Sequence, residues 1–237
     1  MNILKKVVII TLFTILLSSC NDVHSNQDCP DGVIEWVDMI MIQDIKYQHH
    51  ISEPAYEDTP ITIEKGKKLG EVTYKMGDSA CINHQMVNGD ATYLQAGTAI
   101  YEIKGYPSTL AITANDKVYI VDTNKKAKTA GELYPLEKLV KNIYIESTED
   151  GRRIHTFSQS SKDNFLNAWS NLKLEDIETL NITEQQDRSR VFLEIELNNG
   201  ITFREVYWAE SNTFRSGVVG NKQIKEILEY ELSSLRK

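Results

Sequence analysis

The sequence is short of the features that announce an enzyme. It carries no nucleophile elbow, and its one stretch resembling a phosphate loop, Gly66-Lys67-Lys68-Leu69-Gly70, has neither the spacing nor the strand–loop–helix setting that a phosphate cradle needs. Beyond residue 20 there is no second long apolar run, so no later segment reads as a membrane-crossing helix. Cations are also in deficit, 26 Lys and Arg against 34 Asp and Glu. That balance repels nucleic acid and anionic lipid, which both favour basic patches, and it excludes nucleic acid as a partner. Only three cysteines are present, and no internal repeat is visible.

What is there begins with the first twenty residues. Lys5 and Lys6 form a positive end, and Val7 to Leu17 is an unbroken run of apolar residues and threonines. Eleven residues of helix span ~17 Å, short of the ~30 Å hydrocarbon core of a bilayer. The length suits the core of a secretion signal. The run ends in Leu17-Ser18-Ser19-Cys20. This tetrapeptide resembles the lipobox of bacterial lipoproteins: an aliphatic residue, two small residues and a cysteine. The resemblance implies a signal peptide over residues 1–19 and a diacylglyceryl group on Cys20, which becomes the first residue of the mature protein. Two acyl chains give stable anchoring where one is marginal. Residues 21–30 are polar and read as a tether, so 20–30 is a lipidated cysteine and spacer.

Loss of residues 1–19 removes two lysines and no acid, leaving 24 cations against 34 acids, a formal charge of −10. An acidic body meets the membrane through its lipid alone. With Cys20 committed to lipid, Cys29 and Cys81 remain as a candidate disulfide, closing a loop of about fifty residues worth ~3–4 kcal/mol. The alternative is two free thiols. Richness in Ile, Lys and Asn points towards a low-GC, Gram-positive source.

The pattern predicts an α+β body. Residues 31–130 read as a mostly antiparallel β lobe. Val33 to Tyr47 is a single long or bent strand, although a short helix also fits its period. His49 to Lys68 is loop and Leu69 to Met76 a second strand. A meander then follows through Ala99–Tyr106, Thr109–Thr113 and Lys117–Asp122, turned by Gly105–Ser108 and Asn115-Asp116. Residues 124–138 form the boundary. Residues 131–237 read as a β-α-β-β-α layer, sheet packed on helices. Its parts are a strand over Leu139–Ser147, a turn at Glu149-Asp150-Gly151 and a helix opened by Ser160 and Asp163. Phe165, Ala168, Trp169 and Leu172 share one face of that helix. A hairpin over Val191–Leu197 and Ile201–Trp208 turns at Asn198-Asn199-Gly200, setting Ile195 opposite Phe203 and Glu194 opposite Arg204. The last helix starts at Gly220-Asn221, with Ile224, Ile227, Leu228, Leu232 and Leu235 in one stripe.

Cys81-Ile82-Asn83-His84 is the most suggestive chemical constellation, a thiolate and an imidazole three residues apart, which His49-His50 would complete as a metal set. No second fixed-spacing pair supports it, and no orienting carboxylate or amide marks Cys81 and His84 as a nucleophile pair. Ser170-x-x-Lys173 matches the first motif of penicillin-binding enzymes and Lys128-Thr129-Ala130 loosely echoes the third, in reversed order and with Ser170 at the end of a helix; both are read as chance. No catalytic residue, metal ligand or cofactor is therefore assigned. Arg190 to Trp208 is similar to a stretch of small lipoproteins of Gram-positive bacteria, a likeness that implies no site residues. The expectation is a lipid-anchored protein on the extracytoplasmic face of the cell membrane, a non-enzymatic binding module for an envelope protein or wall ligand. The alternative is an envelope enzyme, a wall hydrolase or thiol- or metal-dependent enzyme, using Cys81 and His84.

Overall fold

The computed structural model describes residues 37–49, 63–78, 80–180 and 189–236. The expected leader, Cys20, the tether, Cys29 and His50 lie outside them. Residues 81–84 belong to a separate compact unit, of which only this turn is described; the rest forms one body with two sheets.

The first strands correct the expectation of a single element over Val33–Tyr47. Met39–Ile42 (β1) and Ile45–His49 (β2) are a hairpin, paired antiparallel from Ile42↔Ile45 to Met39↔Gln48. The two-residue turn has Gln43 at φ 54° and Asp44 at φ 65°, the left-handed pair that a primed hairpin turn requires. Gln43-Asp44 lacks the Asn-Gly signature, and the tertiary structure makes up the deficit. Asn88 accepts from the Asp44 amide and donates to its carboxylate at 2.8 Å each, while Lys126 reaches the other carboxylate oxygen at 2.9 Å.

Lys65–Glu71 (β3) is a strand where a loop was expected up to Lys68, and it ends before Val72. The expected strand over Leu69–Met76 is broken. Tyr74–Lys75 (β4) instead pairs in parallel with Asp90–Ala91 (β5), and Met76 opens a 3-10 turn. The meander is present as Ala99–Ile103 (β6), Ala111–Ala114 (β7) and Lys117–Asn124 (β8), and Asn115 and Asp116 turn at φ 49° and 59°. The eight strands run β3-β6-β7-β8-β2-β1-β5-β4. Edge strand β3 carries three lysines and two register shifts, which discourage pairing with another chain.

Residues 125–139 lead to the second sheet and contain a short helix, Ala130–Leu133 (α1), that the sequence reading did not anticipate. A capping box starts it: Thr129 Oγ1 accepts from the Glu132 amide, and Glu132 returns to the Thr129 amide. Gly131 is required here, because a Cβ at this position would lie 2.7 Å from the Ser170 carbonyl oxygen.

The second sheet is antiparallel, in the order β10-β9-β12-β13-β14-β15-β11. Its strands are Val140–Glu146 (β9), Arg153–Thr156 (β10), Lys173–Leu174 (β11), Arg190–Leu197 (β12), Thr202–Trp208 (β13), Thr213–Phe214 (β14) and Val218–Val219 (β15). The β12–β13 hairpin has the expected register, Ile195↔Phe203 and Glu194↔Arg204, with Gly200 at φ 86°. Four short strands, β10, β11, β14 and β15, enlarge the layer beyond the expected β-α-β-β-α.

The long helices are Gln159–Trp169 (α2) and Lys222–Ser233 (α3). Ser158 caps α2 by accepting from the Ser161 amide, two residues ahead of the expected start; Asp163 instead accepts from the Gln159 side chain. Asn221 caps α3 as expected. Ile224 and Leu228 are fully buried, but Leu235 is exposed in a closing 3-10 turn, and Glu231 takes the buried place on the stripe. Among the described residues, both sheets and the three helices share one hydrophobic core, in which Phe165, Trp169, Tyr207 and Phe214 form an aromatic cluster. The fold is α+β, and among the described residues no helix is long and apolar enough to cross a membrane.

Candidate functional site

Two features of the main body offer chemistry. The first is an open groove of about 500 Å³ where α1, the C-terminal end of α2 and the β6–β7 connection meet. Pro107, Pro135, Leu136 and Leu139 give it apolar walls, and Thr129, Glu132, Glu137 and Ser170 supply polar groups. Here the two short motifs set aside as chance lie side by side. The Ala130 amide donates to the Leu172 carbonyl at 2.9 Å, the Leu174 amide to the Lys128 carbonyl at 3.1 Å, and Thr129 bridges Lys173. They do not make a nucleophile and base. Ser170 Oγ turns back to the Leu166 carbonyl, Lys173 Nζ is held by Glu175, and Thr129 and Glu132 are spent on the helix cap. The groove's side chains are not arranged for acyl transfer.

The second feature is the face of β9, β10, β12 and β13 turned away from the core. Leu193, Ile195 and Leu197 point inward, so the pleat sends Glu194 and Glu196 to the other side. Three glutamates on this face are 5–7% exposed, and each holds a cation. Arg153 grips Glu194 through two nitrogens, Nε to Oε2 at 2.6 Å and Nη2 to Oε1 at 3.0 Å. Arg204 Nε donates to Glu146, and Lys141 Nζ to Glu196 Oε1 at 2.8 Å. The other oxygen of Glu196 accepts from the Tyr144 hydroxyl at 2.6 Å and from Asn142 Nδ2 at 2.8 Å.

The guanidinium planes then stack on rings. Arg153 Cζ lies 3.9 Å from the centre of the Tyr144 ring, and Arg204 and Arg190 lie 4.7 and 5.4 Å from that of Phe192. Burial would raise the Glu196 carboxyl, but Lys141, Tyr144 and Asn142 together hold it below the usual range. Burial first, then the Glu196 carboxylate, pushes the Tyr144 phenol up to about 12. Burial outweighs Arg204 at Glu146, whose carboxyl is raised. Arg204 and Lys141 are about half exposed, so the network reaches solvent. It is a face of buried carboxylates, each hydrogen-bonded by a cation.

Elsewhere, Glu231 on α3 gathers His155 Nε2, the Ser158 amide and the Ser158 hydroxyl, tying α3 to the start of α2. Burial opposes ionisation there, but the bonds from His155 and the serines prevail and hold its carboxyl low. The residues singled out for chemistry are Cys81, His84 and His49-His50, of which His50 lies outside the described residues. Cys81 and His84 do share a turn, the His84 amide donating to the Cys81 carbonyl at 2.9 Å, and Cys81 is disulfide-bonded. His49 hydrogen-bonds the Val118 carbonyl through Nδ1 at 2.8 Å and packs on Tyr119. Among the described residues no three His, Cys, Asp or Glu side chains gather as a metal site. No family model, no curated protein and no solved structure matches the chain.

Proposed function

We propose that the protein is a lipoprotein on the extracytoplasmic face of a bacterial cell membrane, anchored through Cys20, whose body is a non-enzymatic binding module for a wall ligand or envelope protein. The observation that carries this reading is the disulfide at Cys81. Disulfides persist in oxidising, extracytoplasmic compartments. A bonded sulfur is neither a nucleophile nor a metal ligand, so the disulfide also counts against an envelope enzyme built on Cys81 and His84. With Cys20 carrying lipid, Cys29 is the partner proposed for Cys81. The groove beside α1 supplies a ligand-sized concavity, and the pre-organised charged face supplies a contact surface. The carboxylates of that face are each committed to a cation, unlike a general acid, which needs a proton to give within a cleft.

The test is the intact mass of the mature protein purified without reductant, together with its partition in a cloud-point detergent. A lipid-bearing chain two hydrogens lighter than its reduced form, whose Cys20→Ser variant is no longer processed to that lipid-bearing mature form, is the expected result. Two free thiols with a bound metal would overturn the binding-module reading and make Cys81 and His84 the first residues to mutate.

A further inference from the structure

The first sheet has two ends, and its registers say what each one carries. On β8, Tyr119 lies opposite His49 and Asn124 opposite Ile45; on the next strand, Met39 lies opposite Gln48 and Ile42 opposite Ile45. One end therefore gathers residues 37–39, His49 and the Asn115-Asp116 turn. The other gathers the Gln43-Asp44 turn and leads through Asn124 to α1 and the groove. β8 has eight residues, so the two ends stand about 23 Å apart.

Thr92 fastens the first end. Its amide donates to the Met39 carbonyl at 2.9 Å, its hydroxyl accepts from the Met39 amide at 3.2 Å, and its carbonyl accepts from the Gly77 amide at 3.0 Å. Two stretches of chain leave the body here. Val37 is two residues before Met39, and Ala80, whose amide donates to the Met76 carbonyl at 2.9 Å, is followed directly by the disulfide-bonded Cys81. Under the lipoprotein reading, on which this inference rests, both lead to the lipid. From Cys20 to Val37 is seventeen residues, at most ~60 Å of extended chain, and from Cys20 to Cys29 is nine, at most ~30 Å. A Cys29–Cys81 bond therefore halves the leash.

The surface at this end suits a membrane. Val37 and Tyr93 are 49% and 46% exposed, an aliphatic side chain and an aromatic of the kind that settles at the headgroup boundary. The body as a whole is acidic, yet three acids here are each met by a lysine: Asp38 by Lys117 at 2.7 Å, Asp116 by Lys65 at 2.9 Å and Glu71 by Lys68 at 3.0 Å. That pairing weakens the repulsion an anionic leaflet exerts on the protein.

We propose that the Val37–Tyr93 end of the first sheet is a membrane-contact surface, resting on the extracytoplasmic leaflet beside the lipid anchor and holding the groove on the side turned away from the membrane. The leash restrains the end from which it leaves, and the apolar side chains there add burial to that of the acyl chains.

The experiment places the mature lipidated protein in phosphatidylglycerol-containing nanodiscs with a gadolinium-chelate headgroup lipid and compares amide signals with those in discs free of gadolinium. Loss of most of the signal is expected at Gly77, Thr92 and Tyr93, and retention at Gly105, Gly131 and Ser170 of the groove. Tyr93→Asp, and separately Cys29→Ser with Cys81→Ser, are expected to weaken the loss at Gly77 and Thr92; should either fail to fold, the wild-type pattern decides alone. Loss at the groove, equal loss over the whole body or no loss in a lipidated chain would overturn the contact. Shifts at Thr92 and Tyr93 that follow protein concentration and not gadolinium would give the surface to a second copy of the chain and overturn it too. An intact mass without lipid on Cys20 would instead remove the anchor, and the contact with it.

Discussion

The two faces of one sheet treat the same side chain in opposite ways. On the outward face, Glu146, Glu194 and Glu196 are almost as buried as Glu205 is on the inward face, yet each is bonded by a cation and, among the described residues, Glu205 by none. The lesson is that burial alone does not set the state of a carboxylate. Desolvation acts on both faces, and what differs is whether a cation bonds the carboxylate directly; Arg215 acts on Glu205 only through its field. Outside, Lys141, Arg153 and Arg204 stretch along the sheet and keep part of each side chain in water. Inside, Glu205 is met by Ser216 and by the Val206 amide, neutral donors that do not offset its burial.

The largest effect is expected from breaking the best pair. Arg153→Met leaves Glu194 buried without its two-nitrogen partner, and urea denaturation at pH 7 should show a loss of about 3 kcal/mol. Adding Glu194→Leu should recover much of it, because removing both charges also removes the desolvation cost. A double variant as unstable as the single would mean that packing of Arg153 on Tyr144, not charge, holds this face.

A somewhat smaller effect of opposite sign is expected on the inner face. The raised carboxyl of Glu205 means that the unfolded chain gives up its proton first, so stability is full below about pH 4.5 and falls as pH rises towards 7. Glu205→Gln should therefore stabilise the protein by about 2–3 kcal/mol at pH 8 and make little difference at pH 4.5. A variant less stable than wild type at pH 8 would show that the ionised carboxylate is well accommodated after all.

The smallest effect concerns Glu196, whose carboxyl is held low. Its stabilisation is present above the ordinary carboxylate range and is lost as pH falls through the folded-state value. Glu196→Gln should cost about 1 kcal/mol at pH 7 and nothing once the wild-type carboxyl is protonated, as thermal melts along the acid limb would record. A cost unchanged by acid would point to shape and not charge.

Much of the fold was legible where local chemistry is strong. Asn115-Asp116 and Asn198-Asn199-Gly200 tolerate or prefer positive φ, so the meander and the last hairpin could be placed, and apolar alternation set the register of the hairpin. Gln43-Asp44 carries no such signal, and its turn depends on Asn88, forty-four residues away from Asp44. The cap of α2 was misplaced for a similar reason: Ser158 and Ser160 are both good caps, and Glu231 of α3 binds the first of them. The candidate site was less legible. The groove depends on α1, a four-residue helix too short for periodicity, and Glu205 and Glu231 look in the sequence like two more surface acids.

By itself, then, the sequence determined the strong local elements and the α+β class, because propensity, turn chemistry and apolar period act within a few residues. Only the tertiary structure decided which acids are buried and with what beside them. A partner for Glu194 comes from forty-one residues away and one for Glu231 from seventy-six. No spacing along the chain encodes such meetings, since they are set by how the sheets and helices close on a common core and by the desolvation that closure imposes.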